Sequence, residues 1–197
     1  MRLFVALSPP PEALAELEVA VAPLRHDWPG LRWATQDRWH VTVAFLGEVA
    51  EPKLAELGRR LERAASRHPA QEVRIGHGGA LPSARKARVL CAHIESEHGA
   101  REGLSALAAS VAAGARRAGA PPPDEGRRYR PHLTLARSRQ PADLAPLVAA
   151  LTGFRGTIWT ADQVHLVRSH AGPQPRYETL ASWPMRPRSA SPKRLPQ

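Results

Sequence analysis

Residues 40–44 read His-Val-Thr-Val-Ala, and residues 132–136 repeat the pattern as His-Leu-Thr-Leu-Ala. In a β-strand, successive side chains point to opposite faces of the sheet. The histidine, threonine and alanine of the first segment therefore share one face, while Val41, Val43 and Phe45 lie on the other. The second segment divides in the same way, so each strand presents one imidazole and one hydroxyl to a common surface.

The repeat exceeds what chance produces. Nine histidines and seven threonines in 197 residues give about 0.3 His-x-Thr triplets at random. A single triplet would be explained by an ordinary half-buried strand. Two triplets, each with aliphatic residues around the threonine and an alanine after it, favour a shared function.

The composition suits one globular domain, or two small lobes with a common core. The chain has 197 residues, of which 43% are apolar. Its formal charge is +10, from 28 Lys and Arg against 18 Asp and Glu, and nearly all the cations are arginine. Arginine binds phosphate through two parallel hydrogen bonds, so a polyanionic partner is one explanation. A genome rich in arginine codons is the other, and composition leaves both open.

Cysteine content and hydropathy exclude several classes of protein. Cys91 is the only cysteine, which excludes an internal disulfide and any multi-cysteine zinc site. It lies in an apolar run, so we expect a small core residue. The opening apolar segment is too short for a signal peptide, and no run is long enough to span a bilayer. We therefore expect a cytoplasmic protein with no membrane partner.

Strands and helices follow one another without regular alternation, which is typical of an α+β fold with antiparallel pairing. Strands are predicted over residues 2–7, 31–34, 40–46, 72–80, 87–94, from 132 onward, and over 155–168 and 176–183. Helices are predicted up to about residue 26, over 52–68, 100–118 and 143–151. Gly47 is expected to stop the third strand, and Gly119 to cap the third helix.

The spacing of the two motifs predicts the architecture. They begin 132 − 40 = 92 residues apart, which is about half of the ordered chain. We therefore expect a bilobed molecule with two antiparallel sheets flanked by helices and a central cleft that carries both motifs. The predicted domain covers residues 1–184. Residues 185–197 are basic and rich in Pro and Ser, so we predict a disordered tail.

Two imidazoles on one surface suit acid–base catalysis, because histidine titrates near neutral pH. In phosphoryl transfer, one would take a proton from the nucleophile and the other would give one to the leaving oxygen. Thr42 and Thr134 would donate hydrogen bonds to the non-bridging oxygens. A metal site is the chemical alternative, but it needs a third ligand, and neither motif contains Asp or Glu. We expect no metal and no cofactor.

The motifs resemble those of the two-histidine (2H) phosphoesterase superfamily, in particular the bacterial and archaeal RNA 2′,3′-cyclic phosphodiesterases, also called the 2′-5′ RNA ligase family. The resemblance covers about residues 1–184 in the family's order and spacing. The matching segments are Arg2–Ala6, Arg32–Trp33, His40–Val43, Phe45–Gly47, Pro131–Leu135, Ala136–Arg137, Val164–Ser169 and Tyr177.

The resemblance implies hydrolysis of 2′,3′-cyclic phosphate ends of RNA to 2′-phosphomonoesters, without a metal. It implies that His40 donates a proton to the leaving 3′ oxygen, and that His132 accepts a proton from water. It also implies a phosphate-binding role for Thr42, Thr134 and Arg137. The partners would be RNA ends, tRNA fragments among them, and some relatives also join RNA ends through a 2′-5′ linkage. We expect a monomer.

Arg137 lies on the opposite parity from His132. In a regular strand it would point away from the cleft, so phosphate contact requires a twist or a bulge.

Other functions stay open at this stage. The same chemistry would serve another 2H reaction, such as cleavage of a cyclic phosphate of ADP-ribose or of a 2′-5′ oligonucleotide. A non-catalytic RNA-binding module is the alternative from a different class, although intact copies of all four motif residues count against it.

Overall fold

The computed structural model describes residues 1–96, 100–123, 128–170, 172 and 176–188, which form nine β-strands and four α-helices. The strands are β1 (Arg2–Leu7), β2 (Arg32–Trp33), β3 (Val41–Glu48), β4 (Gln71–Leu81), β5 (Ala87–Ser96), β6 (His132–Ala142), β7 (Trp159–Ala161), β8 (Gln163–His170) and β9 (Arg176–Pro184). The helices are α1 (Pro11–Asp27), α2 (Leu54–Arg67), α3 (Ala100–Arg117) and α4 (Ala145–Ala150). The predicted α+β class is confirmed.

The two predicted sheets are the two halves of one continuous antiparallel sheet. Its order is β7-β4-β5-β6-β3-β1-β8-β9, and β2 pairs with β6 beside this path. The halves meet between β3 and β6, where the register consists of a single pair, Val41 with Leu133. One half of the sheet thus carries the first motif and the other half the second.

The sheet has a thick core on one side only. A single buried cluster takes in apolar side chains from all four helices together with Val41 and Leu133, both fully buried. A separate small cluster of Phe4, Ala6 and Val167, with Tyr177 packed against it, lies on the other side. We call this other side the motif face.

The third strand does not stop at Gly47 as predicted. It continues to Glu48, and Gly47 has a φ of 66°, a left-handed conformation that glycine adopts without strain. Leu3 pairs with Gly47 and Phe4 with Phe45, so one extra residue is accommodated in a bulge between them. Here the glycine permits the bulge instead of ending the pairing. Gly119, in contrast, caps α3 as predicted, with a φ of 73°.

The single strand predicted over residues 155–168 is wrong. The chain forms two strands, β7 and β8, separated by Asp162. β7 pairs with β4 at one edge of the sheet, whereas β8 pairs with β1 in the other half. The break exists because the chain crosses between the halves at this point.

The ordered chain also extends beyond the predicted boundary at residue 184. Met185 is buried, and its backbone N–H donates to the carbonyl of Asp162. The backbone of Arg186 exchanges hydrogen bonds with His68 and Ala70. The first residues of the predicted tail are therefore packed on the domain, and residues 189–197 lie outside the described residues.

Candidate active site

The Val41–Leu133 pair organises the four motif residues. Both side chains point into the core, so the residues on either side of them point to the motif face. Continuing the antiparallel register places His40 across from Thr134, and Thr42 across from His132. The structure thus brings both imidazoles and both hydroxyls into one patch.

Both imidazoles are held by the same backbone hydrogen bond. Nδ1 of His40 donates to the carbonyl of Arg38 at 2.9 Å, and Nδ1 of His132 donates to the carbonyl of Arg130 at 2.7 Å. A carbonyl only accepts, so each Nδ1 carries the hydrogen and each Nε2 is left for proton exchange. The two rings therefore have the same tautomer, with the hydrogen on Nδ1.

Aromatic rings surround His40. The ring of Phe4 stacks on it with 4.7 Å between centroids, and the ring of Tyr177 meets it edge-on at 5.2 Å. The guanidinium of Arg38 lies 5.5 Å from the centroid of Tyr177. Phe4 and Tyr177 thus cover the first motif histidine, and Arg38 packs against Tyr177.

This enclosure changes the acidity of His40. Burial lowers its pKa to about 4, because the charged imidazolium loses hydration. The hydrogen bond to the Arg38 carbonyl opposes this shift, while the positive charges of Arg38, His132 and Arg137 add to it. In the free protein at neutral pH, His40 is therefore uncharged.

A bulge in β3 places Phe45 on a different face from the predicted one. Ala6 pairs with Thr42, but Val5 pairs with Ala44, so Val43 is an extra residue. The alternation reverses at that point, and Phe45 joins the motif face, where its ring lies 6.4 Å from that of Phe4. With 46% of its surface exposed, Phe45 offers a ring next to the first motif.

A second bulge brings Arg137 to the motif face. Cys91 pairs with Thr134 and Leu90 with Ala136, so Leu135 is the extra residue. Residues directly opposite in an antiparallel pair share a face, and the bulge therefore returns Arg137 to the side of Thr134. Regular alternation would have turned it away. Its guanidinium is exposed and close enough to lower the pKa of His40.

Cys91 is buried, as predicted, but as the register partner of Thr134 it lies on the motif face and not among the side chains of the main core. Burial raises the pKa of its thiol to about 12, so it stays protonated and unreactive.

Sequence reasoning missed residues that support the motifs. The hydroxyl of Tyr129 donates to the carbonyl of Thr42 at 3.1 Å, which ties the approach to the second motif to the strand of the first. Arg38 and Arg130, whose carbonyls anchor the two histidines, each lie two positions before them. The repeat is therefore Arg-x-His-x-Thr-x-Ala in both copies, and the sequence alone is enough to find this longer motif.

Within residues 1–96, 100–123, 128–170, 172 and 176–188, no three His, Cys, Asp or Glu side chains are grouped as metal ligands.

No helix in the described part of the chain is both long and apolar enough to cross a membrane.

Comparison with known proteins identifies the family of this chain. The model of the 2′-5′ RNA ligase superfamily matches residues 9–173. A protein of Thermus thermophilus named RNA 2′,3′-cyclic phosphodiesterase is 32% identical, over 94% of this chain and 91% of the relative. A protein of the same name from Aeropyrum pernix is 31% identical, over 70% of this chain and 73% of the relative.

Solved structures share the fold. TT0787 of Thermus thermophilus superposes with a TM-score of 0.74 at 29% identity, covering 96% of this chain and all of the other. Escherichia coli LigT complexed with 3′-AMP gives a TM-score of 0.70 at 25% identity, covering 93% of this chain and 97% of LigT. With a family match over most of its length and a relative this similar over both chains, the protein belongs to the 2′-5′ RNA ligase superfamily.

Proposed function

We propose that this chain hydrolyses 2′,3′-cyclic phosphate ends of RNA to 2′-phosphomonoesters by acid–base catalysis between His40 and His132. The observation that carries the proposal is the matched anchoring of the two imidazoles. Both Nδ1 atoms are committed to backbone carbonyls, and both rings lie on the motif face beside a threonine. The names of the curated relatives supply the substrate class.

The proposed reaction is an in-line displacement at phosphorus. Water attacks from the side of His132, whose Nε2 takes the proton. The bond between phosphorus and the ribose 3′ oxygen breaks, and this oxygen takes a proton from Nε2 of His40. The products are a 2′-phosphate and a free 3′-hydroxyl, with one proton gained and one lost by the protein.

Thr42, Thr134 and Arg137 are proposed to hold the phosphate. Among the described residues neither threonine hydroxyl is engaged in a hydrogen bond, so both are available to the non-bridging oxygens. Arg137 and its neighbour Arg32 are register partners on β6 and β2. Like charges directly opposite one another repel, and an anion between them removes that repulsion.

The proton donor role of His40 depends on the substrate. Burial keeps this imidazole neutral in the free protein, so it must gain a proton as the complex forms. The anionic phosphate favours the charged imidazolium, because an opposite charge nearby raises a histidine pKa. Substrate binding and protonation of His40 are thus coupled.

We also propose that the enzyme works as a cytoplasmic monomer on RNA fragments, tRNA fragments among them, and that it needs no metal or cofactor. The attacking water can be replaced by a 5′-hydroxyl, which would join two RNA ends through a 2′-5′ linkage.

The test is product analysis across a small substrate panel in the presence of EDTA. A 2′,3′-cyclic nucleotide should yield only the 2′-phosphate, and His40→Ala and His132→Ala should each lower kcat by at least roughly 100-fold with the circular dichroism spectrum unchanged. A 3′-phosphate product would contradict the proposed bond cleavage. Full inhibition by EDTA would indicate that the reaction needs a metal. Preference for a cyclic phosphate of ADP-ribose would indicate that the enzyme catalyses another 2H reaction. RNA binding without turnover of any substrate would indicate that the protein is a non-catalytic RNA-binding module.

A further inference from the structure

A second group of histidines lies beside the second motif. His93 on β5 is the register partner of His132 on β6. Side chains directly opposite in antiparallel strands share a face, with Cβ atoms about 5 Å apart. Glu95 lies two residues further along β5 and shares that face. The motif face therefore continues from His132 across β5.

His77 completes the group from the next strand. The register of β4 and β5 is interrupted between Ile75 and Gly78, so His77 sits in an irregular segment opposite His93. Its ring lies 4.8 Å from that of His93, at 42°, and its Nδ1 is 2.7 Å from Oε1 of Glu95. Nε of Arg155 lies 3.7 Å from the other carboxylate oxygen.

Two glycines make room for this arrangement. A Cβ at Gly79 would overlap the imidazole of His93, and a Cβ at Gly76 would overlap the carboxylate of Glu95. Any other residue at either position would push these side chains away from the strand. The His77 side chain nonetheless remains 51% exposed, so the ring pair presents a surface to solvent. We call His77, His93 and Glu95 the β4–β5 histidine surface.

We infer that the β4–β5 histidine surface binds the nucleoside that carries the attacking 5′-hydroxyl when the enzyme joins two RNA ends. This inference rests on the proposed function, in which His132 activates the nucleophile and His40 protonates the leaving oxygen. In-line displacement then requires the nucleophile to approach from the side of His132. On that side of the sheet, the strands beyond β6 are β5, β4 and β7, in that order.

The chemistry of the surface suits a nucleoside. Imidazole rings stack on nucleobases, and base stacking on side-chain rings tolerates different sequences. The hydrogen bond from His77 is the chief cause of the lowered pKa of Glu95. The Glu95 carboxylate therefore stays ionised and holds the His77 ring in place. The donor RNA end, whose 3′ oxygen leaves toward His40, occupies the opposite side, near Phe45.

The joining step balances without a further reactant. The 5′ oxygen attacks phosphorus and gives its proton to Nε2 of His132. The bond from phosphorus to the 3′ oxygen breaks, and that oxygen takes the proton of His40. The product is a 2′-5′ phosphodiester with a free 3′-hydroxyl.

The experiment measures how one donor partitions between two products. A cyclic-phosphate oligonucleotide is incubated with increasing 5′-hydroxyl oligonucleotide, and the ratio of 2′-5′ product to 2′-phosphate is followed. We expect His77→Ala and His93→Ala each to lower this ratio roughly tenfold, and His77→Phe, which keeps a ring, to preserve it. Misfolded protein lowers both products together and leaves the ratio unchanged.

His170→Ala is the matched control. His170 is also a histidine bound to a carboxylate, with Nε2 2.7 Å from Oε2 of Glu178, but it lies on the half of the sheet that carries His40. The ratio of 2′-5′ product to 2′-phosphate formed by His170→Ala should equal that of the unmodified enzyme. An unchanged ratio in both His77→Ala and His93→Ala would overturn the inference, and so would an unmodified enzyme that forms 2′-phosphate but no 2′-5′ product. If neither product forms, the proposed function itself fails.

Discussion

His40 and His132 share one backbone anchor but differ in their surroundings. Phe4 and Tyr177 enclose His40, whereas the Nδ1 hydrogen bond of His132 lies at an exposed position. The enclosure makes the uncharged form of His40 the resting state. In the proposed reaction, the bound phosphate favours the charged imidazolium, so substrate binding produces the acid that protonates the leaving oxygen.

The titration of His40 tests this coupling. In the free protein, the NMR signal of the His40 ring should titrate with a midpoint near 4, and a saturating 2′-nucleotide should move the midpoint upward by about one unit or more. Tyr177→Ala admits water to the ring and should raise the midpoint toward 6.5. A midpoint near 6.5 in the unmodified free protein would show that enclosure by Phe4 and Tyr177 does not lower the pKa of His40.

At the scale of single elements, the strands depart from simple alternation at the places that matter for the site. The period of two correctly places the four motif residues on one face. It misplaces Phe45 and would turn Arg137 away, because Val43 and Leu135 are each inserted into a bulge. A bulge depends on pairing with a distant strand, and neither segment of sequence carries a local mark of it.

Substitution of Arg137 tests the bulge in β6. Arg137→Gln removes a charge-assisted hydrogen bond to the phosphate and should lower kcat/KM roughly 10- to 100-fold. Arg139→Gln, also exposed and two residues further along β6, should stay within about twofold. A large loss in Arg139→Gln with none in Arg137→Gln would mean that the substrate meets β6 further along the strand and not at the bulge.

At the scale of the whole molecule, the sequence predicts the class of fold and the division into halves. Both follow from the 92-residue spacing of the motifs and from the unordered succession of strands and helices. The strand order does not follow, because β1 pairs with β8 and β4 pairs with β7, which are strands far apart in the chain. Such pairing is decided by packing of the assembled core, not by local preference.

The stability of the folded chain should fall as the solution is acidified below neutrality. The pKa of His40 is lowered in the folded state, as are those of His68 and His165, all chiefly through burial. The unfolded chain therefore binds more protons below about pH 6.5, and stability is lost from there down toward pH 4. His40 alone should contribute a loss of about 2 kcal/mol between roughly pH 7 and pH 5.

Urea unfolding at about pH 7 and about pH 5 provides the measurement. His40→Leu, which cannot titrate, should lose about 2 kcal/mol less than the unmodified protein over this interval. His26→Leu, which removes a histidine from the surface of α1, serves as the control and should behave as the unmodified protein does. Equal losses in all three proteins would place the acid sensitivity elsewhere. The carboxylates with lowered pKa, such as Glu56, reduce the stability of the fold only as the pH falls below about 4.5, where they gain protons.

The order of the sheet has a consequence for how this molecule arose. Without β2, β7 and β9, the first half of the chain runs β1, α1, β3, α2, β4, and the second runs β5, α3, β6, α4, β8. In each series the final strand pairs with the first strand of the other series: β4 pairs with β5, and β8 pairs with β1. This is the arrangement that gene duplication and fusion would leave if the ancestor were a homodimer with exchanged strands. In such a dimer each copy supplied one histidine and one threonine, so the active site formed only at the contact between two identical chains.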